Sequence, residues 1–383
     1  MRVSIVAALV VAFPALAQEQ GFISLSDSSD LAGWRRVPGW SCADGVIRCE
    51  GQGGSLFSQA LYEDFALRLE FRVPRGGNSG IYLRAPLVGR QSALGMEIQI
   101  LGAEGRPRDP ETCGAIYAAR APDANAAKPP GEWNALEIDL RGRALRVVLN
   151  GQVIHDISLD DPAANAPLPA GLKLSERSHR GFIALQYHGA ALEFRNVRIR
   201  PDPEAGFEPL FADGLAGWAG TPPAAFEVAD GVLTGAATEG GEASLTCADV
   251  WSDYTLGLEY RVEKGAQAGI CLRTDPRVER YTPVEVLIAD DSGERPGINC
   301  SGALVGAAGV TWRGSRPPGE WNDMEIVCRG RLVQVFVNAV PVLSANTNLF
   351  GPYIRAPLKG APQVRVRRGE VQLRNVRVRP LGA

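Results

Sequence analysis

Apolar and polar residues alternate one by one along most of the chain. Over residues 65–73, Leu67, Leu69, Phe71 and Val73 alternate with Arg68, Glu70 and Arg72, and similar runs occupy 79–85, 96–101, 135–140 and 145–149. A period of two is that of a strand with one buried face. The runs are short and are punctuated by Gly, Pro, Asn and Asp, which predicts an all-β sandwich or barrel. Asn150-Gly151 joins 145–149 to 153–157 and predicts a tight hairpin. No segment predicts a helix of ordinary length.

The pattern occurs twice. Leu31-Ala-Gly-Trp34 recurs as Leu215-Ala-Gly-Trp218, and Gly80-Ile-Tyr-Leu-Arg84 as Gly269-Ile-Cys-Leu-Arg273. Lys128-Pro-Pro-Gly-Glu-Trp-Asn134 recurs as Arg316-Pro-Pro-Gly-Glu-Trp-Asn322, and Arg195-Asn-Val-Arg-Ile-Arg-Pro201 as Arg374-Asn-Val-Arg-Val-Arg-Pro380. Such a long period indicates duplication of a whole domain. The 383 residues suit two domains of roughly 180 each, and the Pro-rich stretch 201–206 is the expected linker. The expected division is 1–17, 18–202 and 203–383.

In Gly181-Phe-Ile-Ala-Leu-Gln-Tyr-His-Gly189, one face carries Ile183, Leu185 and Tyr187 and the other Ala184, Gln186 and His188. The same parity on neighbouring strands exposes Glu70 and Arg72, Tyr82 and Arg84, and Glu97 and Gln99. If these faces share a sheet, they form one groove of carboxylates, amides, a guanidinium, a phenol and an imidazole. Amides and Arg bind sugar hydroxyls, and an aromatic ring packs on the sugar ring. Asn78, in Gly76-Gly-Asn-Ser-Gly80, reads either as a turn residue or as one facing the same ligand, where glycine lets the backbone approach closely. Each residue also has a plainer reading. Glu70 and Arg84 could be an exposed cross-strand ion pair, Trp133 and Trp321 read as core residues, and His155 and His179 read as solvated.

Net charge is -3 without a run of like charges, which argues against nucleic acid or an anionic membrane as partner. Seven cysteines in no CxxC spacing indicate no zinc site. Arg2, the apolar run Val3 to Phe13 and Ala15-Leu16-Ala17 read as a secretory signal cleaved before Gln18. The run is too short to span a bilayer and no other is long enough, so the expected location is periplasmic or secreted.

Six motifs in order, Gly77-Asn-Ser-Gly80 with Arg84, Glu97 with Gln99, Lys128 to Asn134, Asn150-Gly151, Gln186 with His188-Gly189, and Phe194-Arg-Asn196, resemble the 3-keto-disaccharide hydrolase family. This family is glycoside hydrolase family 16-like, with a concanavalin-type fold. The resemblance implies two tandem concanavalin A-like jelly-roll β-sandwiches and a carbohydrate substrate. It implies cleavage of 3-keto-glycosides. Taken with the polar face read from strand parity, the expected catalytic residues are His188, Glu97 and Arg84, and the expected sugar-binding residues are Asn78, Tyr82, Gln99, Lys128, Gln186 and Glu70. The family often has an Asp just after its E-x-Q-I motif and another in L-Q-D-H-G; here those regions read Leu101-Gly102 and Tyr187.

An ordinary glycosidase needs two flanking carboxylates. Glu70 and Glu97 could serve, but the E-x-D-x-x-E run of family 16 enzymes is absent. A 3-keto sugar needs only a base for the acidified C2 proton and donors for the enolate. His188 suits the base and Arg84 the enolate, while Glu97 could orient a hydroxyl or donate to the leaving oxygen. Alternatively, a divalent cation held by Glu97 and His188 could replace Arg84 as the electrophile. A lectin-like module that binds a glycan without turnover is the alternative. In copy two Cys271, Leu287, Arg365 and Arg367 stand where copy one has Tyr82, Gln99, Gln186 and His188. That copy is expected to be degenerate, its arginines forming an ion-pair network or binding an acidic sugar.

Overall fold

A computed structural model describes residues 21–26, 31–51, 53–202, 206–239, 241–275, 277–278 and 281–381. The expected signal segment lies outside the described residues, as does part of the 201–206 linker. Each half is a sandwich of two antiparallel sheets. In copy one the eight-stranded sheet runs Gln152–Ser158, Ala144–Leu149, Asn134–Arg141, Phe65–Arg72, Leu192–Pro201, Val46–Cys49 and Trp40–Ala43, with Ile23–Ser24 pairing beside Leu192–Pro201. The opposing four-stranded sheet runs Leu56–Tyr62, Gly181–Leu185, Asn78–Ala85 and Met96–Leu101. Copy two repeats both strand orders and adds Trp218–Thr221 to its smaller sheet.

The alternation explains the layers. Leu67, Leu69, Phe71, Ile81, Leu83, Ile98, Ile100, Ile183 and Leu185 share one core cluster between the sheets of copy one. Copy two has its own cluster, including Leu256, Leu258, Ile270, Leu272, Val286 and Ile326. The intervening polar residues point away from both cores. Asn150 and Gly151 have φ of 51° and 80°, the two left-handed residues of the predicted hairpin. All seven cysteines are buried. No helix among the described residues is long and apolar enough to cross a membrane.

The two halves pack directly on each other. Arg180 of copy one meets Asp323, Arg379 Nη1 of copy two lies 2.6 Å from Glu63 Oε1, and Arg379 Nη2 lies 3.2 Å from His179 Nδ1. The outer face of the large sheet therefore differs between copies. Glu137 and Asp139 are only half-buried in copy one, whereas their counterparts Glu325 and Val327 are buried beneath its neighbour. The Asp-to-Val change is the sequence trace of that covered face.

Candidate functional site

The smaller sheet of copy one turns one polar face outward. Tyr82 pairs with Glu97, Gly80 with Gln99, and Ala184 with Tyr82. The Gln186 amide N–H donates to the Gly80 carbonyl at 2.9 Å, which extends the Gly181–Leu185 strand by a residue. This register places Asn78 and Tyr82, Glu97 and Gln99, and Gln186 on the same face of three adjacent strands.

Gly80 is the space-maker. A Cβ there would lie 2.3 Å from Glu97 Oε1, so only glycine leaves the carboxyl its position. Gln186 Nε2 donates to the Tyr82 hydroxyl at 2.5 Å. The Gln99 amide, oriented to satisfy both neighbours, donates to the Ser79 carbonyl at 2.9 Å and to Glu97 Oε1 at 3.1 Å. Gln186 Oε1 and Asn78 Oδ1 are buried acceptors without a partner.

The electrostatics single out Glu97. It is 3% exposed. Burial pushes its carboxyl up to about 7, against the opposing pull of the Gln186 hydrogen bond and the Arg90 charge. The Tyr82 phenol is pushed up to about 12 by burial and then by Glu97, so it stays protonated and can donate.

Two further side chains border the site that the strand parity did not suggest. Tyr117 N–H donates to the Glu97 carbonyl at 3.0 Å, and Arg90 stands 6.0 Å from the Tyr117 ring centroid. Both lie in connecting segments with no alternation: the Ile98–Ile116 bridge brings in Tyr117, and the Gln91–Leu94 helical turn carries Arg90 at its N-cap.

His188 follows Gln186 by two residues and lies exposed in the bend after the strand. Among the described residues no group of three His, Cys, Asp or Glu is placed to hold a metal ion.

Three expected site residues lie elsewhere. Arg84 has φ of 47° beside a bulge between Phe182 and Ala184, which turns it off the shared face. It is 1% exposed, and donates to the Glu63 and Gly142 carbonyls at 2.8 and 2.9 Å and to Asp64 Oδ1 at 3.0 Å. Glu70 lies on the other sheet, where its carboxylate accepts from Arg195 at 2.6 Å and Asn196 at 2.7 Å. Lys128 Nζ donates to the Trp133 carbonyl at 3.0 Å, and its backbone N–H donates to Asn134 Oδ1 at 2.8 Å.

Copy two reproduces all three arrangements. Arg273 donates to Asp253 at 3.1 Å, Arg374 to Glu259 at 2.9 Å, and Arg316 to the Trp321 carbonyl at 3.1 Å. Interactions kept in both copies hold the sandwich together. Trp133 belongs with them. It is half-buried on the outer surface between Arg72 and Arg195, whose guanidinium carbons lie 4.9 and 4.1 Å from its ring, and Trp321 sits likewise between Arg261 and Arg374. The expected core placement of both tryptophans is thus corrected. So is the solvated reading of His155 and His179. His155 is fully buried against Gly114 and Arg120, and His179 is enclosed at the junction of the copies.

At the site itself the copies diverge. Glu285 keeps the position of Glu97 over a glycine, with a Cβ at Gly269 only 2.1 Å from its Oε1. Arg365 Nη1 lies 3.2 Å from Glu285 Oε2 and Arg367 Nη2 lies 2.6 Å from it. The same carboxylate is clamped by two guanidiniums in copy two and faces only neutral partners at hydrogen-bond distance in copy one.

Residues 21–200 and 206–379 each match the 3-keto-alpha-glucoside-1,2-lyase-like domain. The chain belongs to that family, in two tandem copies. A 3-keto-disaccharide hydrolase from Bacteroides thetaiotaomicron is 26% identical over 234 residues, 47% of this chain and 78% of that protein. A crystal structure of a "putative glycosyl hydrolase" from Parabacteroides distasonis is 29% identical with a TM-score of 0.43, covering 47% of this chain and 99% of that one. A carbohydrate-binding module from Bacillus subtilis is 12% identical with a TM-score of 0.33, covering 43% of this chain and 95% of the module.

Proposed function

We propose that copy one is an exported carbohydrate-active enzyme that cleaves the glycosidic bond of 3-keto-glycosides, and that copy two carries no chemistry. The observation that carries this reading is Glu97, a buried carboxyl poised at about 7 among neutral donors. A group of that kind transfers protons efficiently near neutral pH. The B. thetaiotaomicron relative is named for hydrolysis of 3-keto-disaccharides, which supports the substrate class. The N-terminal sequence supports export to the periplasm or the medium.

In this reading Glu97 takes the C2 proton, whose acidity comes from the neighbouring ketone. The C2–H electrons form an enolate on the carbonyl oxygen, and the Tyr82 hydroxyl and a glutamine amide donate to it. The enolate collapses, the C1–O bond breaks, and the aglycone leaves with its oxygen protonated by His188 at the rim. Water then adds to the unsaturated sugar, giving net hydrolysis. His188 and Glu97 thereby exchange the roles expected from sequence, and the buried Arg84 is replaced by neutral donors. Asn78 Oδ1 and Gln186 Oε1, both without partners, accept from sugar hydroxyls.

The test is incubation of the full chain with 3-keto-glucosides, with and without chelator, and identification of the products. Release of the aglycone with an unsaturated or hydrated keto-sugar is expected. Saturable binding of the keto-glucoside without any turnover would instead establish the lectin-like alternative.

A further inference from the structure

The outer face of the large sheet of copy two and the 172–179 segment of copy one enclose a cavity of about 700 Å³. That is within the size range of small-molecule sites, roughly 300–1,000 Å³. Two buried polar atoms of its lining, Arg143 Nη1 and Glu325 Oε1, have no hydrogen-bond partner. The other nitrogens of Arg143 are occupied, Nη2 by the Leu174 carbonyl at 2.9 Å and Nε by Asp160 at 3.3 Å. Glu325 Oε1 lies 3.5 Å from His179 Nδ1, but that nitrogen also faces Arg379 Nη2 at 3.2 Å. As the acceptor for Arg379 it has no proton to give Glu325. An unpaired donor and an unpaired carboxyl oxygen thus border one cavity.

We infer that this cavity is a second carbohydrate site, formed only by the junction of the two copies, and that it takes a neutral sugar of one or two rings. A hydroxyl group both accepts and donates, so one ligand can satisfy Arg143 Nη1 and Glu325 Oε1 together. Asp160 and Glu176 counter two of the lining cations Arg143, Arg177 and Arg329, and burial pushes the Glu325 carboxyl up to about 8, so near neutral pH it meets a ligand largely as an uncharged group. A neutral carboxyl beside mostly paired charges suits a polyol. Trp312 lines the same cavity and is 54% exposed, an indole available to pack on the C–H face of a sugar ring. Its counterpart in copy one is Ala124. The two positions are equivalent because Asp123 N–H donates to the Ile154 carbonyl and Thr311 N–H to the Val342 carbonyl. The aromatic therefore occurs only in the copy that lines the cavity. This inference does not rest on chemistry at Glu97.

The experiment is calorimetric titration of the full chain with glucose, maltose and trehalose. The titrations use the wild type, the cavity variants Trp312→Ala and Glu325→Ala, and the first-site variant Gln186→Ala. A binding event is expected with at least one of these sugars that persists in Gln186→Ala and weakens about tenfold in Trp312→Ala. Trp312→Phe should recover most of the loss. Trp312 is exposed, so its variants fold, and unchanged thermal unfolding confirms that. The inference is overturned by no saturable binding of any of the three sugars. It is equally overturned by binding that Gln186→Ala abolishes and both cavity variants leave intact, which would place the sugar at the first site. Turnover of 3-keto-glucosides is measured separately on the same proteins, so failure of the catalytic proposal leaves this test readable.

Discussion

Gly80 and Glu97 are diagonal neighbours on adjacent strands, so close that a Cβ on Gly80 would lie 2.3 Å from Glu97 Oε1. Gly269 and Glu285 repeat the relationship at 2.1 Å in copy two. The pair is thus a property of the scaffold, and the surroundings decide what the carboxyl can do.

Gly80→Ala tests the pair. The methyl must push the carboxyl away or shift the strand, and overpacking of this kind costs about 1–3 kcal/mol. The expected outcome is a fall in kcat/KM of at least about 100-fold, since misplacement of a catalytic group by an ångström has that effect. Steady-state kinetics together with thermal unfolding separates the two losses. Full activity in a stable Gly80→Ala protein would remove Glu97 from the mechanism.

Glu97→Gln should lower kcat by about 10²–10⁴-fold, the usual contribution of a general base, while KM changes little. In the wild type the carboxylate is the active form, so kcat/KM should rise with pH through about 7. A pH profile of a slow keto-substrate reads this directly. His188→Ala should lower kcat without moving the rise through about 7.

The same carboxyl affects stability. Folding raises it from about 4.5 to about 7, so its stabilising contribution is complete below about pH 4.5 and is lost as pH rises through 7. His155 works in the opposite sense. Burial lowers it to about 4, so its contribution is present above about 6.5 and lost as pH falls through 4. The readout is therefore the difference in unfolding free energy between wild type and Glu97→Gln, which should shrink in the wild type's disfavour between pH 5 and pH 8. A pH-independent difference would mean that Glu97 titrates normally.

Arg84→Met leaves Asp64 without its buried cation. Breaking one side of a buried pair costs about 3–5 kcal/mol, and chemical denaturation should show a loss of that order. Protein that remains folded should keep kcat within a few-fold, because Arg84 lies off the site. A large loss of kcat at unchanged stability would return Arg84 to the chemistry.

In copy two, Arg365→Gln with Arg367→His leaves Glu285 buried without its counter-charges. The midpoint of denaturation should fall, while turnover of 3-keto-glucosides in the full chain stays unchanged. A drop in turnover that tracks this double variant would assign chemistry to copy two.

The sequence by itself determined the two sandwiches and most of one polar face. Strand parity is a local property of the backbone, so Ile81 and Ile98 had to face the core and Tyr82, Glu97 and Gln99 had to face away. Internal repetition made the duplication legible, and the losses in copy two marked which residues were not scaffold. What parity does not specify is which sheet a strand joins or where a bulge interrupts it. Glu70 obeys its parity but lies on the other sheet, and Arg84 leaves the face because its backbone turns left-handed at 47°. Trp133, His155 and His179 are placed by partners distant in sequence, Arg195, Gly114 and Arg379 among them. Tertiary structure alone decided these positions and the burial that raises Glu97, because desolvation depends on what packs around a carboxyl, which no local pattern encodes.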